Sequence, residues 1–275
     1  MSRNKKLWYF NMMVDPNRFS KLKPLPDKTN ILYASDSKLR REVVLKIAPS
    51  NDPVLTKEAF ALEKLQSKGA VELLDVLDWD GHMCLVLEKL TWPSLAANAR
   101  GKKKLSATDS LRICSSMANT IAALNKAGYL YRDFYDHHVF YSSSMETKWI
   151  DFGNIIGPLG PDGSLENPHH HGFWRTMAPE EFNVGAKLTT AANVYSLGSL
   201  FCFVLLGKYP LDPIATTADG LRSYFASGER ASRQSPVLFS LKNKRLGKVL
   251  DRALKWTPGE RYQSVDILIK DMEAV

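Results

Sequence analysis

The sequence predicts an α+β fold in two parts: a small antiparallel sheet with one helix over residues 1–90, then a mainly helical part over residues 91–275. Three observations carry this expectation. Short β-branched and apolar runs alternate with turn signals in the first 90 residues. Apolar residues at helical spacing take over after Trp92-Pro93. A hydrophobic content of 44% over 275 residues supplies a substantial core.

The elements follow in order. Ile31-Leu32-Tyr33, the polar turn Ser35-Asp36-Ser37-Lys38 and the β-branched run Val43-Val44-Leu45-Lys46-Ile47 read as a hairpin. Between Thr56 and Lys68 the period changes: Ala59, Phe60, Leu62 and Leu65 share one helical face, and Gly69 supplies the stop. Val71 to Leu90 returns to strands around Asp80-Gly81, a strong hairpin-turn dipeptide, and contains the apolar run Met83-Cys84-Leu85-Val86-Leu87. The turn-like Thr91-Trp92-Pro93-Ser94 marks the boundary. Beyond it, Leu111, Cys114, Met117, Ala118, Ile121 and Leu124 mark one helix and Val194 to Leu206 another. The second run is broken by Ser196, Gly198 and Ser199 and falls short of the roughly 20 residues a bilayer demands, so it reads as a buried helix, with no transmembrane segment expected. Asn154 to His171, rich in Gly, Pro and His, reads as an exposed loop.

Composition narrows the function classes. Charged residues at 24% argue against disorder, collagen-like repeats and coiled coil. A net charge of +8 favours anionic partners, but no basic stretch is dense enough to specify nucleic acid. Cys84, Cys114 and Cys202 lie far apart in apolar runs without zinc-site spacing, which predicts buried free thiols and a cytoplasmic location. Leu7-Trp8-Tyr9-Phe10 is too short for a signal-peptide core. Of the 16 glycines none precedes Gly69.

The chemistry-bearing residues concentrate in Gly128-Tyr129-Leu130-Tyr131-Arg132-Asp133 and Trp149-Ile150-Asp151-Phe152-Gly153. Asp151 follows a short β-like run and precedes a Phe-Gly pair, which places a carboxylate at a strand end, where oxygen ligands commonly hold hard divalent cations. Asp133 is suited to orient or deprotonate a hydroxyl beside it.

On these residues the chain resembles the eukaryotic-like protein kinase superfamily from about Ile31 to Tyr262. Val43-Val44-Leu45-Lys46 is similar to the strand-lysine motif, and Glu58 to the helix glutamate that pairs with it. Tyr131-Arg132-Asp133 resembles the catalytic-loop triplet, Asp151-Phe152-Gly153 the metal-binding triplet, and Met177-Ala178-Pro179-Glu180 the close of the activation segment. Asn193-Val194-Tyr195-Ser196-Leu197-Gly198 is similar to the buried central helix, with Asn where Asp is usual, and Arg261 to the arginine that pairs with Glu180. Motif order and spacing agree throughout. The resemblance implies a two-lobed protein-kinase-like fold, with a sheet lobe that binds nucleotide and a helical lobe that carries the catalytic loop and activation segment. It implies ATP and Mg2+ or Mn2+ as cofactors, Lys46 and Glu58 at the phosphates, Asp133 as base and Asp151 as metal ligand. Leu87, Glu88 and Lys89 become the connecting segment whose backbone reads adenine. The implied activity is phosphoryl transfer to Ser or Thr of a protein substrate. Arg132 then asks for an anion in Asn154–Arg175 to order that segment: phosphorylated Ser164 or Thr176, or unmodified Asp162 or Glu166.

Three departures keep alternatives open. The expected glycine loop, Pro26-Asp27-Lys28-Thr29-Asn30, has no glycine, leaving Lys28 and Thr29 as substitutes at the phosphates. In Asp133-Phe134-Tyr135-Asp136-His137-His138, Tyr135 stands for the usual lysine and His138 for the metal-binding asparagine, and an imidazole suits manganese better than magnesium. Phe173 stands for the substrate-positioning threonine. These motivate a catalytically impaired pseudokinase that binds a regulatory partner. The spacing to His138 also resembles the bacterial kinases of lipopolysaccharide core sugars, and Arg100-Gly101-Lys102-Lys103-Lys104 would suit an anionic membrane-surface substrate, although such a run is more often a solvated turn. The run His169-His170-His171 reads as loop, because three consecutive side chains converge poorly on one ion.

Overall fold

A computed structural model of the chain describes residues 14–26, 28, 30–66, 68–99, 105–169, 171–212, 217–226, 238 and 241–275. The chain divides into two compact units, Met1–Thr91 and Trp92–Val275. The N-terminal run Leu7–Phe10, Asp27, Thr29, the basic run 100–104 and His170 lie outside the described residues.

The first unit is a five-stranded antiparallel sheet with one helix. Its strands are β1 (Phe19–Pro24), β2 (Ile31–Asp36), β3 (Arg41–Pro49), β4 (Leu73–Trp79) and β5 (His82–Glu88), in the order β1-β2-β3-β5-β4. Successive side chains point to opposite faces, so Val43, Leu45 and Ile47 join Leu32, Ala34, Cys84 and Val86 in one core while Lys46 faces the other way. The β4–β5 turn has both Asp80 (φ 49°) and Gly81 (φ 74°) in the left-handed region, as a two-residue hairpin turn requires. Strand β1 carries no sequence signal because it is an edge strand with polar alternate positions, a register shift between Ser20 and Lys23, and a terminal proline that only an edge tolerates. Helix α1 (Pro53–Leu65) starts earlier than its periodicity suggests, since the Asp52 carboxylate accepts from the Val54 and Leu55 N–H groups and Pro53 sits at the first position. It stops before Gly69: Gln66 already turns left-handed (φ 47°, ψ 49°).

The second unit contains α2 (Leu95–Ala99), α3 (Ala107–Lys126), α4 (Thr190–Leu206), α5 (Ala218–Ala226), α6 (Lys244–Ala253) and α7 (Val265–Glu273). Short hairpins pair β6 (Val139–Tyr141) with β7 (Thr147–Trp149), and β8 (Ser164–Glu166) with β9 (Lys187–Thr189). Helix α4 is buried on every side from Ala191 to Cys202, which explains its all-round apolar sequence. A Cβ on Gly198 would stand 3.0 Å from that of Ala253, so glycine there lets α4 and α6 pack closely. Among the described residues no helix is long and apolar enough to cross a membrane.

The expectation of an exposed loop over 154–171 is corrected in part. Ile155 and Ile156 are buried, Ile156 bridges Leu130 through paired backbone hydrogen bonds of 2.8 and 3.0 Å, and Ser164–Glu166 is a strand. Polar composition hid these residues because their burial comes from partners distant in sequence. All three cysteines are free and buried, and burial pushes the Cys84 and Cys202 thiols up to about 12.

Candidate active site

In the first unit, the alternation of β3 puts Lys46 on the helix side, where its Nζ forms an ion pair with Glu58 of α1. Glu58 is 1% exposed and Lys46 9%, so the two charges share a desolvated position that neither could occupy unpaired. Lys28 is exposed in the turn joining β1 to β2, with its N–H 3.4 Å from the Leu25 carbonyl. Leu87 is buried at the end of β5. The Glu88 backbone N–H donates to the Glu72 carbonyl at 3.0 Å, and its carboxylate accepts from the Glu72 N–H at 2.8 Å. Lys89 pairs with Glu42 at 2.7 Å and lies over the Tyr33 ring. The Lys89 side chain is thus engaged at the sheet rather than held out toward a ligand.

In the second unit the loop 130–138 is fixed from below. Tyr131 is buried among Phe134, Trp149 and Phe152 at ring-centroid distances of 5.1, 5.1 and 5.3 Å, and its hydroxyl donates to the Ile150 carbonyl at 3.0 Å. Asn193 of α4 clamps its backbone, accepting from the Tyr131 N–H at 3.1 Å and donating to the Tyr131 carbonyl at 2.7 Å. An amide does both, whereas an ionised carboxylate can only accept, which gives a physical reason for Asn in place of Asp at this position.

On this support Asp133 is 4% exposed, and both its oxygens have donors: Asn154 Nδ2 reaches Oδ2 at 2.7 Å and His171 Nε2 lies 3.0 Å from Oδ1. Asp151 adopts φ 65°, a left-handed conformation that aspartate tolerates better than most residues, and keeps its carboxylate 29% exposed. His138 Nε2 stands 3.9 Å from Asp151 Oδ2, and its Nδ1 lies 3.2 Å from the Asp133 carbonyl. Burial pushes the His138 imidazole below its ordinary value, against the pull of Asp151, which favours the neutral ring with a lone pair free for a cation. A carboxylate and a neutral imidazole are donor types that divalent metal ions accept, but among the described residues no group of three or more such side chains gathers here.

The two residues that replace family side chains meet each other. Tyr135 stacks on Phe173 with ring centroids 4.6 Å apart and planes at 24°, and Phe173 also contacts Tyr209 edge-on at 5.5 Å. Each substitution looks like a loss in the sequence; together they form an aromatic staple between the catalytic loop and the segment after it.

The anion that Arg132 meets is none of those anticipated. Its Nε lies 2.8 Å from Glu181 Oε1, its Nη1 donates to Asn167 Oδ1 at 3.2 Å, and its Nη2 donates to the carbonyls of His169 and His171 at 3.2 and 2.8 Å. Burial pushes the Glu181 carboxyl up to about 7, opposed by Arg132. Ser164 and Thr176 are buried; Ser164 donates to Asp162 and Thr176 to the carbonyls of Phe134 and Phe173. Asp162 pairs with Lys187 at 2.5 Å instead. Glu180 receives two parallel bonds from Arg261, at 2.7 and 2.8 Å.

Sequence reasoning missed Asn154, His171, Asn167 and Glu181. Asn154 directly follows Gly153, and Glu181 doubles the carboxylate of Glu180, so both carried a faint signal; His171 and Asn167 reach their partners only through folding of the segment.

Comparison with known proteins gives a model match to the protein kinase domain over residues 33–271. A probable serine/threonine-protein kinase PknB of Lactococcus lactis is 23% identical over 251 residues, covering 88% of this chain and 39% of the relative. The serine/threonine-protein kinase PrkC of Bacillus subtilis is 24% identical over 253 residues, covering 89% and 37%. A probable receptor-like serine/threonine-protein kinase of Arabidopsis thaliana is 30% identical over 163 residues, covering 56% and 17%. The chain spans well under half the length of these curated relatives.

Proposed function

Because this chain belongs to the protein kinase domain family, we propose that it transfers the terminal phosphoryl group of ATP to a serine or threonine hydroxyl of a protein substrate. In the first unit, Lys46, steadied by Glu58, supplies positive charge for the nucleotide phosphates, and the exposed Lys28 adds a second charge where a glycine loop is lacking. Leu87 and the backbone of Glu88 and Lys89 receive the adenine. In the second unit, Asp151 with His138 would hold the metal, manganese in preference to magnesium. A divalent cation supplies neutralisation of phosphate charge when bound. Asp133 accepts the hydroxyl proton: a carboxylate offers about four lone-pair sites, so oxygens already bonded to Asn154 and His171 keep room for a third donor.

The observation that carries this reading is the Asp133–Asp151–His138 group, set on a loop that Asn193 and an aromatic cluster hold rigid. Asp133→Ala and Asp151→Ala should each lower phosphate transfer from labelled ATP by about 100-fold or more, assayed with magnesium or manganese on generic protein substrates and on lipopolysaccharide. Activity unchanged by either substitution overturns the proposal. Transfer to lipopolysaccharide alone would shift the acceptor to a sugar at an anionic membrane surface.

A second reading is a binding module that regulates a partner protein. The Tyr135–Phe173 stack favours it, because it occupies two positions that contact phosphate and substrate in the family. A thermal-shift titration separates the two: no rise in melting temperature at millimolar ATP with either metal, together with no transfer, favours the module. Three buried free thiols fit a reducing compartment, and we place the protein in the cytoplasm.

A further inference from the structure

We propose, resting on the phosphotransferase reading, that His171 is the positioning residue of Asp133: its imidazole fixes the carboxylate that meets the substrate hydroxyl. A carboxylate only 4% exposed needs hydrogen-bond donors on its oxygens to hold it in one rotamer. The two whose bonds to it are resolved are Asn154, at 2.7 Å from Oδ2, and His171, at 3.0 Å from Oδ1. With Tyr135 stacked on Phe173, no lysine side chain comes from that position to share the work.

The hold on His171 is built from the chain itself. Arg132 Nη2 donates to the His171 carbonyl at 2.8 Å while the same guanidinium faces Glu181 at 2.8 Å, so the residue next to the base in sequence grips the backbone that returns to it. Gly172 makes the return possible. Its φ is 127°, and a Cβ there would lie 2.7 Å from the Arg132 carbonyl oxygen and 3.1 Å from Met177 Cγ, so any other residue would push the segment off the loop. Asn167 closes the arrangement, donating to the carbonyls of Glu181 and Asn183 at 3.0 and 2.9 Å. The contact therefore rests on a buried Glu–Arg pair and a glycine, with no serine, threonine or tyrosine side chain among them.

The test uses the full chain, His171→Ala and His171→Gln, with melting temperature checked for each. His171→Ala should lower kcat about 10- to 100-fold while KM for ATP stays within about twofold, and His171→Gln, whose carboxamide N–H can reach the same oxygen, should recover kcat to within about fivefold of wild type. Protein labelled with nitrogen-15 histidine supplies a readout independent of turnover: a solvent-protected Nε2–H resonance, present in the parent, lost in His171→Gln and exchanging freely in Asp133→Ala. A His171→Ala variant with unchanged kcat overturns the proposal and leaves the phosphotransferase reading intact. So does a rise in kcat, which would make His171 a block. A parent that transfers no phosphate yet shows the protected resonance overturns the phosphotransferase reading and supports the contact. An absent resonance overturns the contact.

Discussion

Asn193 shows what one atom decides. It donates to one Tyr131 backbone group and accepts from another, and also accepts from Asn125 Nδ2 at 2.8 Å, all inside a position 1% exposed. Asn193→Asp restores the residue usual in the family but turns a donor into an anion facing the Tyr131 carbonyl. It should cost about 1–3 kcal/mol in urea unfolding, because a buried acceptor loses its partner and a charge is buried beside it. An unchanged midpoint would show that the loop rearranges to suit a carboxylate. The Tyr135–Phe173 stack obeys the same logic. A double-mutant cycle with Tyr135→Ala and Phe173→Ala should give a coupling of about 0.5–1.5 kcal/mol, and additive effects would refute the staple.

Helix α1 carries Glu58 to Lys46, so its ends bear on the site. Asp52 satisfies two N–H groups at its start, and Asp52→Ala should destabilise the first unit by about 1 kcal/mol. At its other end Gln66 holds a left-handed conformation that glycine adopts without steric cost. Gln66→Gly should therefore raise stability by up to about 1 kcal/mol, despite removing side-chain atoms. Melting temperatures of both variants check the pair, and a loss on Gln66→Gly would mean the side chain matters more than the backbone. The sequence pointed to Gly69 as the stop, because glycine is the general signal. The chain instead turned at the first residue past the last buried contact, Leu65.

At the scale of the molecule, the second unit is tied together by Arg261, whose guanidinium is buried and donates to Glu180, to the Ala191 and Trp256 carbonyls, and through Nε to the Lys255 carbonyl at 2.6 Å. These partners come from α4, the turn after α6 and the close of the activation segment, so one side chain links two distant stretches to the turn just before it in sequence. Arg261→Met leaves Glu180 without its counter-charge and should cost about 3–5 kcal/mol, read as a lower melting temperature. A variant within 1 kcal/mol of the parent on the same melting curve would show that Glu180 finds solvent instead.

The sequence by itself determined the α+β division, the strands around Asp80-Gly81, the buried α4 and the family, because each rests on local period, turn chemistry or a contiguous motif. It left β1 unread, since an edge strand need not alternate, and it took 154–171 for exposed loop, since the burial of Ile155 and Ile156 is supplied by residues far along the chain. Tertiary structure alone decided the surroundings of Asp133. The pairing of Arg132 with Glu181 spans 49 positions and that of Asp133 with His171 spans 38. A carboxylate's partners are fixed by which charges share its desolvated volume, and adjacency in space of that kind has no period to be read.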